Sequence, residues 1–174
     1  MSIAGARTNN FEGMAGVAGG WGVNDGVQCM ILKVGDLNIS SPNQNFAVMD
    51  DAILYAASSG ADVINISMGS SVNHASVEAA IDMAYDTYNC VIVASSGNNF
   101  NNVAPVKFPA RLPKVLGVSN TNINNRVQQS HIGEDLDLGA PGTNLPILNP
   151  GSRRPPYTEY INQTGTSLSA PLVS

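Results

Sequence analysis

The first residues that could do chemistry lie near the carboxyl end of the chain. Residues 162–171 read NQTGTSLSAP, and Gly165 permits a tight backbone approach just before Ser167. We expect a helix to begin at Ser167, with Pro171 in its first turn, where the missing proline N–H costs no hydrogen bond. The dipole and free N–H groups of that turn favour negative charge, so Ser167 is a candidate nucleophile. A plain Thr/Ser helix cap is the commoner explanation of this pattern taken alone.

Two further polar segments follow strand-like runs. In an open parallel sheet, sites gather at the carboxyl ends of the strands. Small residues there leave room for a substrate backbone, and the side-chain amide of Asn98 is a hydrogen-bond donor suited to an oxyanion. An ordinary Gly-Asn turn is the alternative for the second segment. The segments are Ser67, Met68 and Gly69, and then Ser95, Ser96, Gly97 and Asn98.

The hydrophobic pattern predicts the elements that position these residues. Strand-like and helix-like segments alternate, which indicates an α/β fold of three layers, a mostly parallel sheet with helices on both faces. The strands are solidly apolar, so we expect both of their faces to be buried. Strands are predicted at residues 28–34, 62–67, 90–94 and 115–119, helices at 45–58 and 75–89, and long loops at 95–113 and 120–135. The predicted inward helix faces are Phe46, Met49, Ile53 and Ala57, and Val77, Ile81, Ala84 and Tyr88.

Composition excludes several classes of function. The chain has 174 residues, with 8 basic and 13 acidic side chains and a formal charge of −5, so it has no basic footprint for nucleic acid. Its hydrophobic content of 43% is too high for a disordered chain. No run of 18 apolar residues is present to span a membrane, and the first residues lack the pattern of a signal peptide.

The two cysteines are predicted to be structural. Cys29 and Cys90 each lie in an apolar, strand-like run, which favours two buried small hydrophobic side chains. A disulfide between them is the open alternative. No CxxC or HExxH pattern is present, so no zinc site is predicted.

Six short segments occur in one order along nearly the whole chain. They read IAGARTNN, GVAGG, DVINISMGS, VIVASSGNN, LDLGAPG and GTSLSAP. This order resembles the subtilisin-like serine proteases, the subtilases, and the last segment is the most specific. The resemblance implies a subtilisin-like fold, with residues 1–174 as one partial catalytic domain truncated at both ends.

The resemblance also implies a role for each candidate residue. Ser167 corresponds to the acylated nucleophile, and Asn98 to the oxyanion-hole residue, with the Ser167 N–H as the second donor. Ser67, Met68 and Gly69 correspond to a strand edge that pairs with extended polypeptide substrate and forms one wall of the first specificity pocket. Ser95, Ser96 and Gly97 correspond to the opposite wall.

Lys107 stands where family members have the base of that pocket. An ammonium group turned inward would favour acidic or polar substrate side chains. A flexible lysine more often points to solvent, and this orientation is the alternative.

The triad partners of a serine protease are missing from the sequence. The family's histidine would lie just before residue 1 and its aspartate further upstream, so this chain is expected to be a fragment that is inactive alone. We expect a surface position for His74, a polar loop for His131, and no catalytic role for either. Asp36, Asp62 and Asp137 are not triad candidates either. Unpaired sheet edges predict poor solubility or association for the isolated chain.

No cofactor or metal site is predicted for these residues. Many subtilases bind calcium through the loop at residues 8–14, where Asn10 and Glu12 offer oxygens, but the other ligands would come from upstream. Calcium is therefore a candidate only for the full-length parent. The resemblance implies a secreted or periplasmic protein.

Two other functions compete with a protease. A degenerate subtilase, acting as a non-catalytic peptide-binding or scaffold module, would also lack the triad partners. A nucleotide-binding domain would explain the glycines at residues 13–20, but they precede a predicted strand and have no G-x-G start.

Overall fold

The computed structural model describes residues 2–11, 13–23, 25–35, 46–149 and 160–174. Asp36 and Glu12 therefore lie outside the described residues. The helices are α1 (Ser2–Gly5), α2 (Met49–Ser58), α3 (Ala75–Asp86) and α4 (Thr166–Val173). The strands are β1 (Val63–Ile66), β2 (Val91–Ser95), β3 (Val115–Thr121), β4 (Leu138–Pro141), β5 (Leu145–Leu148) and β6 (Tyr160–Gln163).

The centre of the fold is a parallel sheet with the strand order β1-β2-β3-β4. Every neighbouring pair is parallel, with Ile66 opposite Ala94 in one pair and Ser95 opposite Val118 in the next. The predicted α/β class is confirmed. An antiparallel hairpin of β5 and β6 leads into α4. The hydrophobic pattern does not predict this hairpin.

Helices α2 and α3 pack together on one face of the sheet and form the main core. Seven of the eight predicted inward positions on the two helices are buried. Tyr88 is the exception and is exposed, because α3 ends at Asp86, two residues before it. Helix α2 begins at Met49 because Val48 has a non-helical backbone.

The other face of the sheet is only half covered, which corrects the expectation that both faces are buried. Helix α4 has eight residues, so it spans only about 12 Å. Ala170 packs against Val93, Val118 and Ala140 at the carboxyl halves of the strands. The amino halves carry four exposed apolar side chains, which we call the apolar strip: Val63, Val91, Leu116 and Leu138.

Residues 28–34 do not form the predicted strand. Within the described residues this segment is extended but has no strand pairing, and Ile31 is exposed. An apolar run becomes a strand only where a neighbouring strand satisfies its backbone, and the described residues supply none here. Cys29 is exposed for the same reason, contrary to our prediction, whereas Cys90 is buried as predicted. Both cysteines are free.

The apolar strip leads to the first prediction. We expect the isolated 174-residue chain to self-associate, because the strip presents neighbouring apolar side chains to water. The double variant Val91→Ser, Leu116→Ser is expected to shift the chain toward monomer in sedimentation velocity. Ile123→Ser is the control, since Ile123 is exposed outside the strip. A monodisperse monomer of the unaltered chain would contradict the prediction.

Candidate active site

The two segments predicted from the sequence end β1 and β2, at the same edge of the sheet, and α4 begins beside them. Gly165 precedes α4, and a Cβ added to it would stand 3.3 Å from Asn98 Oδ1. Because Gly165 has no side chain, the Asn98 side chain can lie against the start of the helix. The structure brings Ser167, Asn98 and Ser67 together.

Ser167 and Ser67 are joined by two hydrogen bonds. Ser167 Oγ donates to Ser67 O at 3.2 Å, and Ser67 Oγ donates to Ser167 O at 3.1 Å. The second bond has a cause in the sequence. Pro171 is the sixth residue of α4 and not in its first turn as predicted, so it supplies no N–H to the carbonyl of Ser167. Ser67 satisfies that carbonyl instead, which ties the helix start to the end of β1.

Asn98 is held by one end of its side-chain amide. Its Oδ1 accepts from Thr166 N at 2.9 Å and from Thr166 Oγ1 at 3.0 Å. Nδ2 makes no hydrogen bond to the described residues, and Asn98 is exposed. The N–H of Ser167 belongs to the first turn of α4, whose N–H groups have no partner four residues back. Asn98 and Ser167 thus offer two donors at the helix start.

We call the space bounded by residues 67–69, residues 97–98 and the start of α4 the cleft. Gly69 is exposed and Met68 and Gly97 are half-buried. The side chains of Ser95 and Ser96 are both buried, so the predicted wall can present only their backbone to the cleft. Ser96 contributes backbone, and its carbonyl accepts from Lys107 N at 3.0 Å.

The side chain of Lys107 lies between the two sides of the cleft. A Cβ added to Gly69 would stand 2.9 Å from Lys107 Cβ, and one added to Gly97 would stand 2.5 Å from Lys107 Cγ. Phe108, the residue after Lys107, exchanges two backbone hydrogen bonds with Ser70, and these bonds fix its position. Lys107 Nζ donates to Ser71 Oγ at 2.6 Å.

His74 is half-buried in an aromatic cluster, which corrects the predicted surface position. Its ring stacks on Phe46 with centroids 4.6 Å apart, and Phe108 is 5.7 Å away. Its Nε2 lies 3.3 Å from Ser70 Oγ. Neither His74 nor His131 forms a hydrogen bond to Ser167 within the described part of the chain.

His131 lies behind Gly97 and is buried. Its backbone N–H donates to Gly97 O at 2.8 Å. Burial, and then the positive charge of Lys107, lowers the pKa of His131, while the carbonyl of Pro105 acts in the opposite direction. The imidazole is therefore kept neutral and supports the wall of the cleft.

The described carboxylates have structural partners or lie on the surface. Asp137 Oδ2 accepts from Gly117 N at 2.8 Å, which ties a loop to β3. Asp62 is exposed before β1.

Burial, and then the charge of Asp62, raises the pKa of the Cys90 thiol, so this cysteine is a poor nucleophile. Among the described residues, no group of three His, Cys, Asp or Glu side chains could hold a metal ion.

Thr166 is a site residue that we did not single out from the sequence. It is fully buried and both of its donors bind Asn98. Its position at the first residue of a helix, directly after glycine, is the available signal. The signal is weak because threonine there usually serves only the helix.

The structure thus places a serine in the first turn of α4, with the Asn98 amide held against the same helix start and the end of β1 beside it. A family model described as the subtilase family matches residues 2–174. The chain belongs to the subtilase family.

Two relatives match nearly the whole chain. A thermophilic serine proteinase of Bacillus sp. (strain AK1) is 32% identical over 173 residues, which cover 99% of this chain and 39% of that protein. Thermitase of Thermoactinomyces vulgaris is 32% identical over 173 residues, covering 99% of this chain and 56% of the relative. The chain thus spans about half the length of these relatives or less.

Solved structures agree with the subtilisin-like fold. MycP1 with its N-terminal propeptide removed matches with a TM-score of 0.72 and 25% identity, covering 99% of this chain and 62% of that chain. The prenylagaramide maturation protease PagA matches with a TM-score of 0.65 and 26% identity, covering 80% of this chain and 49% of that chain. No helix in the described ranges is long and apolar enough to cross a membrane.

Proposed function

We propose that the full-length protein to which this chain belongs is a serine endopeptidase that hydrolyses peptide bonds through an acyl-enzyme on Ser167. The observation that carries the proposal is the pairing of Asn98 with Thr166. It holds the acceptor end of the amide at the helix and leaves Nδ2 as a donor beside Ser167. The substrate is a polypeptide, bound in extended form along residues 67–69.

The proposed chemistry has two halves. Ser167 Oγ attacks the substrate carbonyl, and the oxyanion that forms accepts hydrogen bonds from Asn98 Nδ2 and Ser167 N. The hydroxyl proton passes to a base and then to the departing amine. Water then releases the acyl group by the same path in reverse order. Side chains and backbone supply all of these roles, so we propose no cofactor for the acylation step.

The base is the part that the described residues do not provide. Ser167 Oγ donates to the carbonyl of Ser67, which cannot take up a proton at neutral pH. His74 and His131 are occupied elsewhere in the fold. We therefore propose that an upstream histidine and aspartate complete the triad, and that the 174 residues alone have little or no turnover.

The family supports a further part of the proposal. We propose that the full-length protein acts outside the cytoplasm, secreted or periplasmic. We also keep calcium as a proposed ligand of the full-length protein only. In the loop at residues 8–14, Asn10 lies among the described residues and Glu12 lies outside them, so the calcium proposal rests on the family alone.

Labelling with a fluorophosphonate tests the proposal. We expect the full-length protein to take up one adduct, measured by intact mass, and its Ser167→Ala variant to take up none. The folded 174-residue chain is expected to remain unlabelled, because its serine has no base.

Two results would contradict the proposal. Stoichiometric labelling of the 174-residue chain would show that Ser167 is activated without an upstream residue, and His131 and His74 would be replaced next. A full-length protein that binds peptide but resists labelling would favour the non-catalytic peptide-binding module.

A further inference from the structure

We propose that Lys107 makes the cleft selective for an acidic side chain on the substrate residue whose carbonyl is attacked. This inference rests on the proposed function, because it names the class of peptide that the same site accepts. Three observations carry it: the course of the lysine stem, the partners of its ammonium group, and a second cation beside it.

The stem of Lys107 occupies the space that two glycines leave open. Gly69 and Gly97 have no Cβ, and a Cβ on either would crowd the lysine Cβ or Cγ. The backbone on both sides is fixed, because Lys107 N donates to Ser96 O and Phe108 N donates to Ser70 O, each at 3.0 Å. The stem therefore forms the floor of the cleft and leaves little depth for an aromatic side chain.

The ammonium group has only a neutral partner. Lys107 Nζ binds Ser71 Oγ at 2.6 Å, and none of the ion pairs among the described residues includes Lys107. A serine hydroxyl does not neutralise the charge. An arriving carboxylate would gain an ion pair with no existing ion pair to break.

A second cation lies beside the first. Arg111 donates from Nη2 to the carbonyl of Ser71 at 3.3 Å and also contacts Asn73 Oδ1. It forms no ion pair with a described carboxylate. In a chain with 13 acidic and 8 basic residues, two cations that share Ser71, two residues after Gly69, and form no ion pair with a described carboxylate favour an anionic ligand.

Peptide substrates that differ only in the side chain before the scissile bond test this inference. With the full-length protein, we expect kcat/KM for glutamate to exceed that for glutamine about 5- to 10-fold, as for a partly exposed ion pair. Phenylalanine is expected to be cleaved poorly. Glutamine is the matched substrate because it has nearly the same shape without the charge.

Three variants separate the charge from the stem. Lys107→Met keeps a stem of similar length, so it should abolish the glutamate preference and still discriminate against phenylalanine. Lys107→Gly should also improve cleavage after phenylalanine. Lys114→Met is the control, since it removes the same charge just before the amino end of β3, where Lys114 pairs with Asp82 and Asp86. It should leave the glutamate preference unchanged.

Equilibrium binding distinguishes failure of this inference from failure of the proposed function. Acetylated tetrapeptide amides ending in glutamate, glutamine or phenylalanine are titrated into the same proteins by calorimetry. The inference is supported if the glutamate peptide binds more tightly than the other two and Lys107→Met abolishes this difference, even if no peptide is cleaved. Cleavage without a glutamate preference overturns the inference but still supports the proposed endopeptidase function. Absence of both binding and cleavage overturns both.

Discussion

Replacement of Ser167 by alanine is expected to lower the turnover of the full-length protein about 10⁶-fold. This magnitude is the one measured when a subtilisin loses its nucleophile, and it is adopted here for the family. The physical reason is that the acyl-enzyme cannot form, and the remaining donors can assist only direct attack by water. Steady-state hydrolysis of a peptide substrate gives the measurement.

The variant should otherwise remain intact. Within the described residues Ser167 Oγ donates one hydrogen bond, to Ser67 O, so its loss should lower the free energy of unfolding by about 1 kcal/mol. Ser169→Ala is the matched control on the same helix, because its buried Oγ has no hydrogen-bond partner in the structure. We expect this control to keep its turnover. A Ser167→Ala protein that retained turnover after purification from any contaminating protease would refute the assigned nucleophile.

Replacement of Asn98 by alanine should lower turnover about 10²–10³-fold with little change in KM. Loss of the oxyanion-hole asparagine in a subtilisin supplies this magnitude, which we take over and do not derive. The donor Nδ2 acts on charge that develops only in the transition state, so binding of the ground-state peptide should be nearly unaffected. The measurement is kcat and KM for one peptide substrate.

Two further variants separate the donor from the packing of Asn98. Asn98→Asp keeps an acceptor for Thr166 but replaces Nδ2 by an oxygen, so its turnover should fall at least as far as that of Asn98→Ala. Thr166→Val removes one of the two bonds that orient Asn98 and retains the backbone bond, so its loss should be smaller. Asn99→Ala is the neighbouring control. Full turnover in Asn98→Asp would refute the oxyanion role.

Local sequence patterns determined most of the fold. Helical spacing predicted the inward faces of α2 and α3, since side chains three and four residues apart share one face. Solid apolar runs predicted β1, β2 and β3, because a parallel sheet is covered by helices. The order of short motifs indicated the family, and with it Ser167 and Asn98, which the structure brings to the same helix start.

Contacts between distant residues decided the rest. Residues 28–34 have the composition of a strand, but composition does not supply the neighbour that a strand needs, and Cys29 is exposed in consequence. The hydrogen bonds of Asn98 with Thr166 join residues 68 positions apart. The course of Lys107 depends on two glycines in separate segments, so its orientation had stayed open between solvent and the cleft. Periodicity records only neighbours along one element, whereas these features arise from packing between elements, which only the tertiary structure determines.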